Sequence, residues 1–414
     1  SGTKYVSQEL FDEWEKKDPL LNYEEFLLKK KLIDKNYISQ IREEISKEID
    51  LALKEAANTP AVEFDESDEL KNLYASASEK SNGEFIVAPE SDKKSSKRLV
   101  DSISEGLRQS MERDDKVLVM GQDVAEYGGV FKITEGFLEK FGADRVRNTP
   151  LCESAIIGAA LGTTAFRFKP VVEMQFADFV SVGFNQIVNN LAKIHYRWGH
   201  KAGVVVRMPA GGGVGAGPFH SQSNEAWFFK TPGLKIVYPS NAFDAKGLLC
   251  RAAQKEDPVI YFEHKYLYRS NSEEVPDDYY ELEIGKGRRI TEGNEVSIIT
   301  YGMGVSWAQE WIQNNSHISV DLIDLVSLSP LDKELVISSV KNTGKVIILH
   351  EDTLTGGIGA EISAIISSEA FEYLDAPVMR CASLDTPVPF APALEKGFMA
   401  NNRFDTLMQK LLDY

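Results

Sequence analysis

The chain has 414 residues, more than one core usually holds, so two or three domains are expected. Hydrophobic residues make up 43% and charged residues 26%, a globular balance, while 46 Lys and Arg against 63 Asp and Glu give a formal charge of -17. Such an acidic chain repels phosphate backbones, so nucleic acid is not an expected partner, and no run approaches the ~18 apolar residues of a membrane span. Cys152, Cys250 and Cys381 are far apart and form no CxxC pair, so neither a zinc site nor a disulfide framework is expected, and a reducing, intracellular setting fits.

Residues 1–58 read as a charged helical tail. Asn22 with Glu25 three residues on resembles a capping box, and Ile41, Ile45, Ile49 and Leu53 recur at helical spacing, an apolar face ended by Thr59-Pro60. Two short helices cannot bury a core, so this tail must dock on something else. Residues 59–98 are polar and read as a linker with one helical turn near Leu70–Tyr74. Residues 1–80 carry 12 Lys and Arg against 19 Asp and Glu, a solvated acidic surface.

From Leu99 the rhythm changes. Strand-like runs at Val117–Met120, Val171–Met174, Val204–Val206, Ile236–Tyr238 and Val259–Phe262 alternate with helices expected over 153–166, 179–198, 221–230 and 241–254. Such alternation predicts a parallel sheet covered on both faces, here over residues 99–275. A polar break at 271–290 precedes a second, smaller α/β domain over 276–414, with strands at Val296–Thr300, Val320–Ile323, Val346–Leu349 and Val378–Cys381.

The sequence has no P-loop, no HExxH and no GxSxG. Gly211-Gly-Gly-Val-Gly-Ala-Gly217 follows a strand, but the flanking Pro209 and Pro218 depart from a dinucleotide fingerprint, and a flexible loop is the simpler account. Glu153 opens an almost wholly apolar helix. It can be a carboxylate that favours the positive helix terminus. Alternatively, desolvation among Ile156, Ile157 and Leu161 can keep it protonated and able to donate a hydrogen bond. His220 follows the glycine loop, which suits a capping residue or a general acid and base. His195, His200, His264, His317 and His350 lack such a context and read as structural.

Several ordered strings carry a resemblance: Gly121-Gln-Asp-Val-Ala125, Gly128-Gly-Val-Phe131, Arg147-Asn-Thr-Pro-Leu-Cys-Glu153, Glu173-Met-Gln-Phe-Ala-Asp178, His220-Ser-Gln-Ser223, Pro232-Gly-Leu-Lys-Ile-Val237, Asp244-Ala-Lys-Gly-Leu-Leu249 and Thr355-Gly-Gly357. From about Lys97 to Tyr414 the chain resembles the beta subunit of the decarboxylating component of 2-oxo acid dehydrogenases, nearest the branched-chain type. Asp12-Glu-Trp-Glu-Lys-Lys-Asp18 and the helices after it resemble the C-terminal tail of the alpha subunit, which suggests a fused alpha–beta form.

The resemblance implies a transketolase-like pyrimidine-binding α/β domain followed by a transketolase C-terminal-like α/β domain, with an N-terminal helical tail. It implies thiamine diphosphate as cofactor and decarboxylation of 3-methyl-2-oxobutanoate, with reductive acylation of a lipoyl group on an acyltransferase core. Pyruvate as substrate and a non-catalytic assembly scaffold are the alternatives. Glu153 matches the glutamate that hydrogen-bonds a pyrimidine nitrogen and so promotes loss of the thiazolium proton. Leu151, Gln175 and Phe179 match cofactor-binding positions, and His220 matches the histidine of acyl transfer. Magnesium (Mg2+) and the diphosphate are expected mainly on the alpha part, because no Gly-Asp-Gly occurs here. The family's potassium site matches Gln254-Lys255-Glu256-Asp257-Pro258, where Lys255 stands in an acidic ligand's place and argues against a bound metal. An alpha2–beta2-type assembly in a bacterial cytoplasm is the implied setting.

Overall fold

The computed structural model describes residues 5–75 and 84–414 and divides at Glu66 into two compact units. The first unit is three helices, Gln8–Glu15, Pro19–Lys29 and Lys35–Asn58, none with a buried residue. The second helix starts earlier than Asn22. Asp18 Oδ1 accepts from the Leu20 and Leu21 N–H groups at 2.8 and 3.0 Å, and Pro19 takes the first helical position, where its missing N–H costs nothing. Asn22 lies inside the helix. Ile45, Ile49 and Leu53 on the long helix are all more than half exposed, an apolar stripe without cover in this unit.

In the second unit, seven strands form one sheet. They are β3 (Val117–Gly121), β4 (Val146–Asn148), β5 (Lys169–Glu173), β6 (Val205–Ala210), β7 (Lys235–Val237), β8 (Val259–His264) and β14 (Ser327–Ser329). Their order is β14-β7-β8-β6-β5-β3-β4, parallel except for β14. Every residue of β3, β6, β7 and β8 is buried, as strands covered on both faces require. A second sheet has the order β11-β13-β12-β15-β16, from Arg288–Thr291, Val320–Asp324, Val296–Thr300, Val346–Thr353 and Met379–Ser383. Its β11 is antiparallel and the others are parallel. Since β14 directly follows β13 yet joins the first sheet, a backbone ladder holds the two α/β layers together.

Two segments read from sequence as irregular are paired. β2 (Lys94–Arg98) runs antiparallel to β9 (Ser272–Pro276), and β1 (Phe85–Val87) to β10 (Glu281–Leu282). Backbone pairing needs no apolar side chain, so the polar composition hid them. The expected helix over 179–198 is broken into a 3-10 turn Ala177–Phe179, a helix Val180–Asn185, a π-turn Gln186–Leu191 and a helix Ile194–Trp198. Of the helix expected over 221–230, only Ala226–Phe229 forms. Residues before it bond elsewhere: Gln222 N–H donates to Asp178 and the Asn224 amide to the Ala177 carbonyl.

Candidate active site

The site lies past the C-terminal ends of β3, β5, β6 and β8, where open parallel sheets place ligands. Glu153 stands in the first turn of the helix Glu153–Thr164 and is 5% exposed. Its Oε1 accepts from the Gln122 amide at 3.2 Å, just beyond β3. The next residue, Asp123, accepts from the Gln175 amide at 3.1 Å, just beyond β5. Gln122-Asp123 therefore joins Glu153 to Gln175. Phe176 then packs edge-on to Phe179 and to the His220 ring, with centroids 5.5 and 4.8 Å apart, and Phe179 meets His220 at 5.5 Å. Glu153, Gln175, Phe179 and His220 thus form one continuous wall. Leu151 lies two residues before Glu153 and is 81% exposed, an apolar side chain at the rim. Sequence reasoning missed Gln122, Asp123 and Phe176 as wall residues, although all three sit inside the strings Gly121–Ala125 and Glu173–Asp178.

Beneath the wall is a buried ion triad. Arg207 on β6 donates to Glu173 Oε2 at 2.8 Å and to both oxygens of Glu263 at 2.7 and 2.8 Å, and the Tyr268 hydroxyl donates to Glu263 at 2.5 Å. Burial raises the pKa of Glu173. Arg207, despite its own desolvation, is held further into its charged range by Glu263 and Glu173. The triad fixes β5, β6 and β8 in register directly under Gln175 and the glycine loop.

The loop Gly211–Gly217 is docked. Positive φ at Gly211, Gly213, Gly215 and Gly217 alternates with negative φ at the residues between, the backbone pattern of an anion nest. Its occupants are the chain's own carboxylates: Gly212 N–H donates to Glu351 at 2.6 Å and Gly213 N–H to Glu395 at 2.9 Å. The phosphate reading of this loop therefore has no geometric support. Glu351 also lies 2.6 Å from His264 Nε2, whose Nδ1 accepts from Tyr266 N–H, so Nε2 is the ring donor. Burial would raise Glu351, but His264, the Gly212 N–H and Lys265 outweigh it and hold the carboxyl below its usual range. Burial pushes Lys265 down to about 8, and its Nζ donates to the Gly211 carbonyl at 2.6 Å. His264, read from sequence as structural, thus belongs to the support of this loop.

Two cavities flank the loop. One of about 510 Å³ is lined by Phe219, Ser221, Trp227, Asp352 and Val388, the other of about 390 Å³ by Gly212, His264, Tyr266, Glu395 and Met399. Glu225 is fully buried near the first; its Oε1 accepts from Tyr301 at 2.6 Å and its Oε2 has no partner. Burial, then the Asp352 charge, push it up to about 8.

The residues fit the pyrimidine half of thiamine diphosphate. A desolvated carboxyl oriented by Gln122 suits a ring nitrogen, and Phe179 and Phe176 supply an aromatic wall. Among the described residues no group of three His, Cys, Asp or Glu could hold a metal ion. At the sequence stretch Gln254–Pro258 the buried Asp257 pairs with Lys235 Nζ at 2.6 Å and accepts from Ala75 N–H at 2.6 Å.

Two layers of parallel sheet with this wall at the strand ends define a transketolase-type α/β protein. The comparisons agree: residues 96–271 match the transketolase pyrimidine binding domain, 285–403 the transketolase C-terminal domain, and 1–64 the dehydrogenase E1 component. A split-gene transketolase, described as an inactive beta4 tetramer, superposes with a TM-score of 0.63 at 22% identity, covering 77% of this chain and 98% of that one. The chain is 46% identical to the 2-oxoisovalerate dehydrogenase subunit beta of Bacillus subtilis, over 76% of this chain and 98% of that protein. It is 41% identical to the pyruvate dehydrogenase E1 component subunit beta of Staphylococcus epidermidis, over 74% and 95%. The chain belongs to the family of beta subunits of 2-oxo acid dehydrogenase E1 components, preceded by an E1 segment consistent with a fused alpha–beta form. The family depends on thiamine diphosphate and a metal ion. No helix among the described residues is long and apolar enough to cross a membrane.

Proposed function

We propose that this chain is the pyrimidine-holding half of a branched-chain 2-oxo acid dehydrogenase acting on 3-methyl-2-oxobutanoate and passing the acyl group to a lipoyl arm. The observation that carries this reading is the buried Glu153 carboxyl, oriented by Gln122 and joined through Gln175 and Phe176 to His220. Bound thiamine diphosphate would supply the electron sink for decarboxylation. Glu153 would hold a proton at the pyrimidine nitrogen, and the low-dielectric surroundings of Ile156 and Ile157 strengthen that hydrogen bond. Phe179 and Leu151 would exclude water from the ring face. His220, half-buried with its ring edge-on to two phenylalanines, would exchange a proton with the arriving arm. Mg2+ and the diphosphate would be held mainly by the alpha part.

The higher identity to the Bacillus subtilis 2-oxoisovalerate protein favours the branched substrate. The closeness of the Staphylococcus epidermidis protein keeps pyruvate as the second reading. The partners in this reading are the alpha part, in an alpha2–beta2-type assembly, and a lipoyl-bearing acyltransferase core, in the cytoplasm. The test is decarboxylation by the chain with its alpha part, thiamine diphosphate, Mg2+ and an artificial electron acceptor, with 3-methyl-2-oxobutanoate against pyruvate. Glu153→Gln should lower turnover by about 10²–10⁴, the range for loss of a positioned acid–base group. Full turnover in that variant rejects the site, and preference for pyruvate rejects the substrate.

A further inference from the structure

The glycine loop leads directly into His220, yet what holds it comes from the second α/β layer. Gly212 N–H donates to Glu351 at 2.6 Å, at the end of β15. Gly213 N–H donates to Glu395 Oε1 at 2.9 Å, and Gly215 N–H lies 3.3 and 3.2 Å from its two oxygens. Glu395 is only 7% exposed, on the helix Pro392–Phe398. Phe390, just before that helix, packs directly on Gly217, where no Cβ could fit. At the far end, Gln222 N–H and its side-chain amide both donate to Asp178 Oδ1, at 3.2 and 2.9 Å. His220 therefore sits on a span tied at both ends, with His220 N–H turned back onto the Gly217 carbonyl at 3.4 Å.

Carboxylates that receive backbone N–H groups make charge-assisted bonds, about twice as strong as neutral ones. Backbone donors cannot rotate away, so the contact fixes the path of the loop itself. Gly217 has a positive φ and a Cβ there would run into the Phe390 ring, which links the composition of the loop to its docking.

We propose that Glu395, with Glu351, is a positioning residue for acyl transfer: the second domain clamps the glycine loop and thereby places His220 for the lipoyl arm. This rests on the functional reading above. A consequence is a division of labour, in which decarboxylation depends on the Glu153 wall and acyl transfer depends in addition on the clamp.

The experiment uses the chain assembled with its alpha part and compares wild type, Glu395→Ala and Glu395→Gln in three measurements. They are amide hydrogen exchange of peptides covering 211–217, decarboxylation with an artificial acceptor, and reductive acylation of a lipoylated domain. In Glu395→Ala, exchange in the loop should rise about tenfold or more, the factor expected for losing one charge-assisted hydrogen bond. Acyl transfer should fall by at least about tenfold while decarboxylation falls by less than about threefold. Glu395→Gln keeps an accepting oxygen and should recover part of the acyl transfer. Unchanged exchange, or an equal fall in both activities, overturns the clamp. Absence of acyl transfer in the wild type instead overturns the functional reading and the role of the clamp with it.

Discussion

Replacing Glu225 by Gln should flatten the dependence of stability on pH. Glu225 is fully buried; burial first and the Asp352 charge second push it from 4.5 up to about 8. Between those two values the native chain keeps a proton that the unfolded chain has released. The stabilisation is fully present below 4.5 and is lost as pH rises through about 8. In that window each retained proton tilts the unfolding free energy downward by about 1.4 kcal/mol per pH unit. Gln is a neutral isostere whose side-chain oxygen can still accept from Tyr301. Over about two pH units, from roughly 5.5 to 7.5, the variant should gain about 2.7 kcal/mol relative to wild type. Asp324, also raised to about 7 by burial, is common to both proteins and cancels in the difference. Asp352, pushed by burial to about 7, is likewise present in both proteins. The assay is urea unfolding followed by circular dichroism at three or more pH values for both proteins. Parallel stability curves, or a wild type that gains on the variant as pH rises, would refute the reasoning.

Two further outcomes follow from buried groups. Arg207→Met strands the Glu173 and Glu263 carboxylates and should cost about 3–5 kcal/mol by the same urea assay, with most of it recovered when both are also changed to Gln; a loss below about 1 kcal/mol would contradict a buried ion triad. Of the three thiols, Cys152 is exposed whereas burial pushes Cys250 and Cys381 up to about 12. Brief alkylation of the native chain at neutral pH should therefore modify Cys152 alone by mass spectrometry, and labelling of the buried pair before denaturation would show that the core opens.

The linear sequence by itself determined the alternation of buried strands and helices, because a strand covered on both faces is dominated by an apolar run, as β3 and the first residues of β8 are. It also singled out Glu153, from its place at the mouth of an apolar helix, and His220, from the glycine loop before it. Position along the chain carries that information. What only the tertiary structure decided depends on partners distant in sequence. Lys94–Arg98 looks like linker until Ser272–Pro276 lies beside it, because its ladder bonds are made by backbone. Ser327–Ser329 joins a sheet that began two hundred residues earlier. The glycine loop reads as flexible from its composition, since glycine costs the most chain entropy to order. Its order comes from Glu351, Glu395 and Phe390, more than a hundred residues away, and Phe390 packs on Gly217, one of the glycines that made the loop look mobile.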